Sequence, residues 1–334
     1  MAAKSKLRTK VLAGIASYGV AGGCLYWVFH RLDFGQFLRS FAGVNWWWIP
    51  AAIVFVLLVY VLAGWEWQIL LRPAGRLSVR QTTQAVFAGR LANDVLPVHV
   101  GYVIRIYLVS RWAKIEVASV APSLLVERLF DGFWLALGIG LAAIFFPLPP
   151  KISIVAKFWV GIIVFGLVAG ALIVFRKPRP AGSLSRHHQW SKWFDKIRHA
   201  LSRALGQLHA IGRSWIFPVA FGISLLKFAA QCLAFLFLLW AYDFRLPLPT
   251  QIAVFLVAYV GLSMPSTPAS VGVFQVFCIA ALEMVHVPKS TAAGFSLLAF
   301  VVLSIPLSIA GFVALGQSGL TLRQIRAEAS HWKQ

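Results

Sequence analysis

The sequence predicts an all-α polytopic membrane protein, with about six full spans plus two re-entrant broken helical hairpins in an inverted repeat. Three observations carry this reading. Hydrophobic residues make up 60% of the 334 and charged residues 12%, against about 45 to 50% and about 25% in soluble domains. Most apolar residues fall in runs near the ~20 that cross ~30 Å of hydrocarbon. Two regions, one in each half, break that pattern with half-length apolar runs split by Pro and polar residues.

The formal charge is +21, from 31 Lys and Arg against 10 Asp and Glu. These cations cluster in short stretches between apolar runs and offer no long hydrophilic surface to a duplex, so nucleic acid is not an expected partner. The membrane is, through cytoplasmic loops held by the positive-inside rule and through anionic headgroups. Cys24, Cys232 and Cys278 fall inside apolar segments, so neither a disulfide nor a metal site is expected, and no cofactor is implied.

The whole chain, 1–334, reads as a single integral membrane domain: a first half over about 11–175, a linker over 176–213 and a second half over about 215–317. Lys4, Lys6, Arg8 and Lys10 precede an apolar stretch from Val11 to His30 that lacks a small-residue cleavage site. An uncleaved first helix with a cytoplasmic N-terminus is expected. A second span, Trp46 to Leu71, opens on three tryptophans suited to the interfacial belt. Thr82 to Leu91 and Val100 to Val109 are too short to cross, and Asn93, Asp94, Pro97 and Gly101 interrupt them. They form the first re-entrant hairpin, a broken backbone tolerated at depth only against protein or a water-filled cavity. Spans over Ser119 to Phe146 and Val155 to Phe175 follow.

Residues 176–213 hold nine Lys and Arg and one acid, Asp195. Trp190, Trp193, Phe194, Ile197, Leu201, Leu205 and Leu208 recur at helical spacing, giving a basic amphipathic helix that either simply links the halves or also holds the inner leaflet. A span from Trp215 to Tyr242 carries Lys227. The break then repeats: Ile252 to Leu262 and Val271 to Met284 flank Pro265, Ser266, Thr267, Pro268 and Ser270. A last span, Thr291 to Leu315, leads to a basic cytoplasmic tail. Interrupted segments at corresponding places in two halves are the pattern of a transporter whose repeats meet near the midplane.

Ionisable residues at membrane depth are the candidate site. Glu127, Arg128 and Asp131 lie within five positions on one span, where each costs about 2.5 to 3.5 kcal/mol to insert. Arg128 between two carboxylates is either a structural clamp or a phosphate ligand. The first break offers Arg90, Asn93, Asp94 and Arg105 around Pro97 and Gly101. A helix starting near Gly101 would present free N–H groups, making a phosphate cradle, unless Arg90 and Arg105 only snorkel to the interface. Ser266, Thr267 and Gly272 supply a similar helix start in the second break. Lys227 and Glu283 either pair with each other or titrate during transport.

Residues 93–105, the Glu127-Arg128-Leu129-Phe130-Asp131 run and the segment from Pro265 to Phe274 resemble the flippase-like integral membrane family related to the lysylphosphatidylglycerol synthase transmembrane region, over about residues 8 to 320. That resemblance implies translocation of a phospholipid or polyprenyl-phosphate lipid in the cell envelope, without a synthase domain. The chain departs from the family pattern where Tyr102 and Gln275 replace acids and Ala269 replaces a glycine. The expected setting is the inner membrane, with both termini cytoplasmic and envelope-lipid enzymes as partners. Two alternatives stand beside this: a membrane enzyme, such as a lipid-linked glycosyltransferase or phosphatase, and a non-transporting scaffold. The enzyme is disfavoured because no carboxylate pair or metal-ligand cluster lies in the short outer loops, and His187 and His188 sit in the basic linker.

Overall fold

Apolar segments with few helix breakers can satisfy their backbone in hydrocarbon only by coiling into helices. A computed structural model describes residues 19–95, 101–145, 206–263 and 271–317, apart from Ala21, Phe29, Arg31 and Arg213, together with Gly161 and Val164. The described residues are mostly helical, with no strand among them. Expectations for the N-terminal residues up to 18, for Pro97, for the Val155 to Phe175 span, for most of the linker, for Pro265 to Pro268 and for the tail lie outside the described residues.

A short helix α1 (Phe34–Ala42) begins at Asp33, whose carboxylate accepts the Gln36 N–H. It precedes the long helix α2 (Trp48–Leu71). Then come α3 (Val79–Val95) and α4 (Gly101–Ala113), followed by the long α5 (Val117–Phe145), with Pro122 inside it. The second half repeats the order. Long α6 (Ile216–Ala241) leads to short α7 (Leu248–Ser263) and α8 (Val273–Glu283), then to long α9 (Lys289–Gln317), with Pro306 inside it. Helices α2, α6 and α9 are long and apolar enough to cross a membrane. The half-length runs are helices, as expected, but α3 and α7 start earlier than their apolar residues do: Ser78 caps α3 through Gln81, and the α7 start is polar at Thr250 and Gln251.

Packing follows the same two-fold scheme. Helices α2 and α6 lie against each other along the middle. The last long helix of each half packs on the first short helix of the other half, α9 on α3 and α5 on α7. Small residues set these crossings. A Cβ at Gly311 would meet Leu91 and the Phe87 carbonyl across the α9–α3 contact, and one at Gly138 would meet Leu256 across α5–α7. Within the first hairpin, α3 and α4 touch backbone to backbone at Gly89 and Gly101, the close approach that only glycine permits. Trp46 and Trp47 stay exposed, as an interfacial belt requires, while Trp48 turns in against Phe237 and Trp240.

Candidate functional site

Four helices bring six charged side chains together inside the bundle. On α5, Glu127 accepts both ends of the Arg105 guanidinium from α4, at 3.1 and 2.7 Å. Both side chains are almost wholly buried, and the two-pronged geometry is the strongest that Arg and a carboxylate make. The Arg105 guanidinium also stacks 4.3 Å over the Trp67 ring of α2. Trp67 in turn donates its indole N–H to Ser123 of α5 at 2.8 Å. The pair is therefore held on three sides.

Beside it, Lys227 of α6 binds Glu66 of α2 at 2.5 Å and Asp131 of α5 at 2.7 Å. Asp131 uses its second oxygen on Arg128, 3.2 Å away, and Arg128 comes within 3.7 Å of Glu127. Three cations meet three carboxylates here, so the layer is formally neutral, as groups at this depth must be. Arg128 differs from the rest. Its side chain is 50% exposed, and its guanidinium lies 4.9 Å over the ring of Tyr102.

These contacts revise several expectations. Arg105 does not stand free at a water-filled rim, because Glu127 takes both of its terminal nitrogens and leaves only a buried Nε–H without a partner. It is the buried clamp; Arg128 does lie between Glu127 and Asp131, as its spacing predicts, but is half exposed there. Lys227 does not pair with Glu283, which is exposed at the end of α8, but with Glu66 and Asp131. Glu66 joins this layer from an apolar span in which no motif marks it. The signal was present: an acid in an otherwise apolar span needs a cation, and the apolar span carrying Lys227 supplies one.

The glycine amides at the two breaks also have partners. The Gly101 N–H donates to the Asn93 side chain at 2.7 Å. In the second break Gly272, at φ 85°, donates its N–H to Gln275 at 2.7 Å. Gln275 thus acts as a cap from a buried position, so neither Gly101 nor Gly272 offers its own amide to a phosphate.

Arg90 and Asp94 pair one turn apart on α3 at 3.2 Å, and Ser308 of α9 donates to Asp94 at 3.3 Å. Arg90 lines a small cleft, open at its mouth, between the two halves. The wall is otherwise mostly apolar, built from Val56, Ala234, Leu262, Phe274, Phe300 and Leu307, with Tyr60, Gln231 and Ser304 as its other polar groups. The Arg90 Nε is buried without a hydrogen-bond partner. Tyr60 reaches the Arg90 guanidinium from α2.

No group of three or more His, Cys, Asp or Glu able to hold a metal occurs among the described residues. Among curated proteins, none matches the chain significantly. The apolar helices identify a multi-pass membrane protein, and a family match over residues 14–311 shows which kind: the chain belongs to the family of the lysylphosphatidylglycerol synthase transmembrane region.

Proposed function

We propose that this protein translocates a phospholipid or polyprenyl-phosphate-linked lipid between the leaflets of the inner membrane, without altering it chemically. Membership of its family makes it a membrane protein of lipid metabolism or transport. The observation that carries the finer reading is the cleft between the halves, whose wall is apolar except for a few polar groups and the Arg90 cation. An apolar wall suits an acyl or prenyl chain, and a guanidinium with an unfilled N–H suits a phosphate. The two-fold arrangement of helices around that cleft supports alternating exposure of one site to both leaflets. The charge pattern supports cytoplasmic termini. Enzymes that make or consume the same lipid are the expected partners.

Reconstitution tests this directly. Proteoliposomes carrying a headgroup-labelled anionic phospholipid should lose outer-leaflet label to the inner leaflet faster than protein-free vesicles. Arg90→Ala should slow the transfer by at least about tenfold, the loss of a charge-assisted bond worth ~1.5 to 3 kcal/mol, while remaining monodisperse. Transfer no faster than in empty vesicles would refute translocation.

A further inference from the structure

The charged layer has an order within it. Starting from α2, Glu66 binds Lys227, Lys227 binds Asp131, and Asp131 binds Arg128. Each inner member is shared between two neighbours of opposite charge, so a change at one end alters the hold on the other. The ends differ in kind. Arg128 is the half-exposed end. Glu66 is wholly buried and uses only one carboxylate oxygen, because its Oε1 has no hydrogen-bond partner. The other two carboxylates each place both oxygens on cations: Glu127 on Arg105, and Asp131 on Lys227 and Arg128. Among the three acids, Glu66 gives up least by taking a proton, since the oxygen that would receive it holds nothing.

We propose that the row Glu66–Lys227–Asp131–Arg128 couples a proton to a phosphate-bearing anion, with Glu66 as the proton site and Arg128 as the anion site. The anion side rests on the lipid-translocation reading above, with Arg128 as a second phosphate contact in addition to Arg90 of the cleft; both guanidiniums lie near Tyr102. With Glu66 ionised, the layer is neutral and Asp131 divides itself between Lys227 and Arg128. A proton from water adds to the Glu66 carboxylate, and no covalent bond breaks. The layer then carries one net positive charge. Lys227, no longer attracted by a charged Glu66, concentrates on Asp131, and Arg128 turns its donors to an incoming phosphate, whose charge offsets the proton. Tyr102, beneath the guanidinium, keeps it aimed while the partner changes.

The groups around Glu66 fit this role. From α5 it faces Asp131 and Glu127, and from α6 Lys227. Arg105 of α4 is committed to Glu127. On α3, Asp94 takes one nitrogen of Arg90 and leaves its Nε–H without a partner, and Tyr60 and Tyr259 approach the same layer from α2 and α7. His209 belongs to the segment 206–212, whose Leu208 and Ile211 pack with Ile69 and Leu70 of α2. Lys227 is the cation in contact with Glu66, which is why protonation there is felt along the row and not absorbed by Arg105.

Binding of phosphatidylglycerol to the purified full chain, measured by titration calorimetry at about pH 5.5 and about pH 8.5, tests the coupling. Affinity should be higher at the lower pH by about tenfold or more, since one linked proton changes affinity by up to tenfold per pH unit. Buffers of different ionisation enthalpy should report uptake of close to one proton per lipid. Glu66→Gln, which mimics the protonated form, should bind at both pH values as tightly as the natural protein does at low pH, with no proton uptake. Arg128→Gln should bind weakly at both.

Inorganic phosphate, titrated in a second arm, should bind far more weakly than the lipid; equal binding with proton uptake would overturn the lipid assignment of Arg128 but keep the coupling. Lipid binding that is flat with pH and takes up no proton would overturn the relay and leave the translocation reading standing. No lipid binding at either pH would overturn both. If Glu66→Gln does not fold, proton uptake by the natural protein and its protonated-carboxyl infrared band on lipid addition decide the matter, and absence of both overturns the proposal.

Discussion

Removing the Arg105 side chain would strand Glu127, whose own side chain is only 2% exposed, and take the stacking partner from Trp67. Breaking a buried pair by deleting one member costs ~3 to 5 kcal/mol in soluble precedents. Arg128→Ala removes a half-exposed group whose partner Asp131 keeps Lys227, so its cost is smaller. Arg105→Ala should therefore lower the folded fraction, read as the monodisperse peak in fluorescence-detected size exclusion, much more than Arg128→Ala or Arg90→Ala. Equal peaks for Arg105→Ala and Arg128→Ala would contradict the burial argument. Spacing along the helix makes Glu127, Arg128 and Asp131 legible as neighbours, whereas the Arg105–Glu127 pair crosses from one helix to another and is not.

At the scale of elements, the hairpins hold their shape through missing side chains. Gly89 of α3 and Gly101 of α4 lie so close that a Cβ on either would meet the other's carbonyl oxygen, and the Gly101 N–H is tied to Asn93. Backbone cannot yield as a flexible side chain can, so Gly101→Val should separate α3 from α4. Gly140→Val on α5, where a Cβ meets nothing within 4 Å, is the matched control. We expect Gly101→Val to lower the apparent melting temperature in detergent by several degrees, as ~1 to 3 kcal/mol of overpacking would, and Gly140→Val to leave it nearly unchanged. The reverse result would mean that α3 and α4 do not touch there. Polar and proline interruptions made the hairpins legible in the sequence, but which glycine carries the contact was not, because a glycine reads the same at an open face and at a crossing.

At the scale of the molecule, the two halves meet along α2 and α6, and Lys227–Glu66 is the ion pair across that seam. Lys227→Met leaves the buried Glu66 without its cation, whereas Glu66→Leu leaves Lys227 still bound to Asp131. The pair replaced together removes both charges but leaves Asp131 with Arg128 alone. A double-mutant cycle should show coupling: Lys227→Met destabilised by ~3 to 5 kcal/mol, Glu66→Leu by less, and the double variant less unstable than the sum of the two. Additive losses in thermal unfolding would show that the halves are not joined by this contact.

Composition and the length of the apolar runs determined the membrane class, and two interruptions at corresponding places determined the repeated order of long and short helices, because both follow from local chain length against a fixed hydrocarbon thickness. The need for Lys227 to find a carboxylate was also legible, since an isolated charge at that depth is too costly to leave unpaired. Which carboxylate it finds was not. Glu66 lies 161 positions away, and only the packing of α2 on α6 brings them together. The same holds for Arg105 and Arg128: sequence gives their type and depth, while the neighbours that bury one and leave the other open come from helices elsewhere in the chain, so tertiary structure alone decided which is the clamp and which is the open cation.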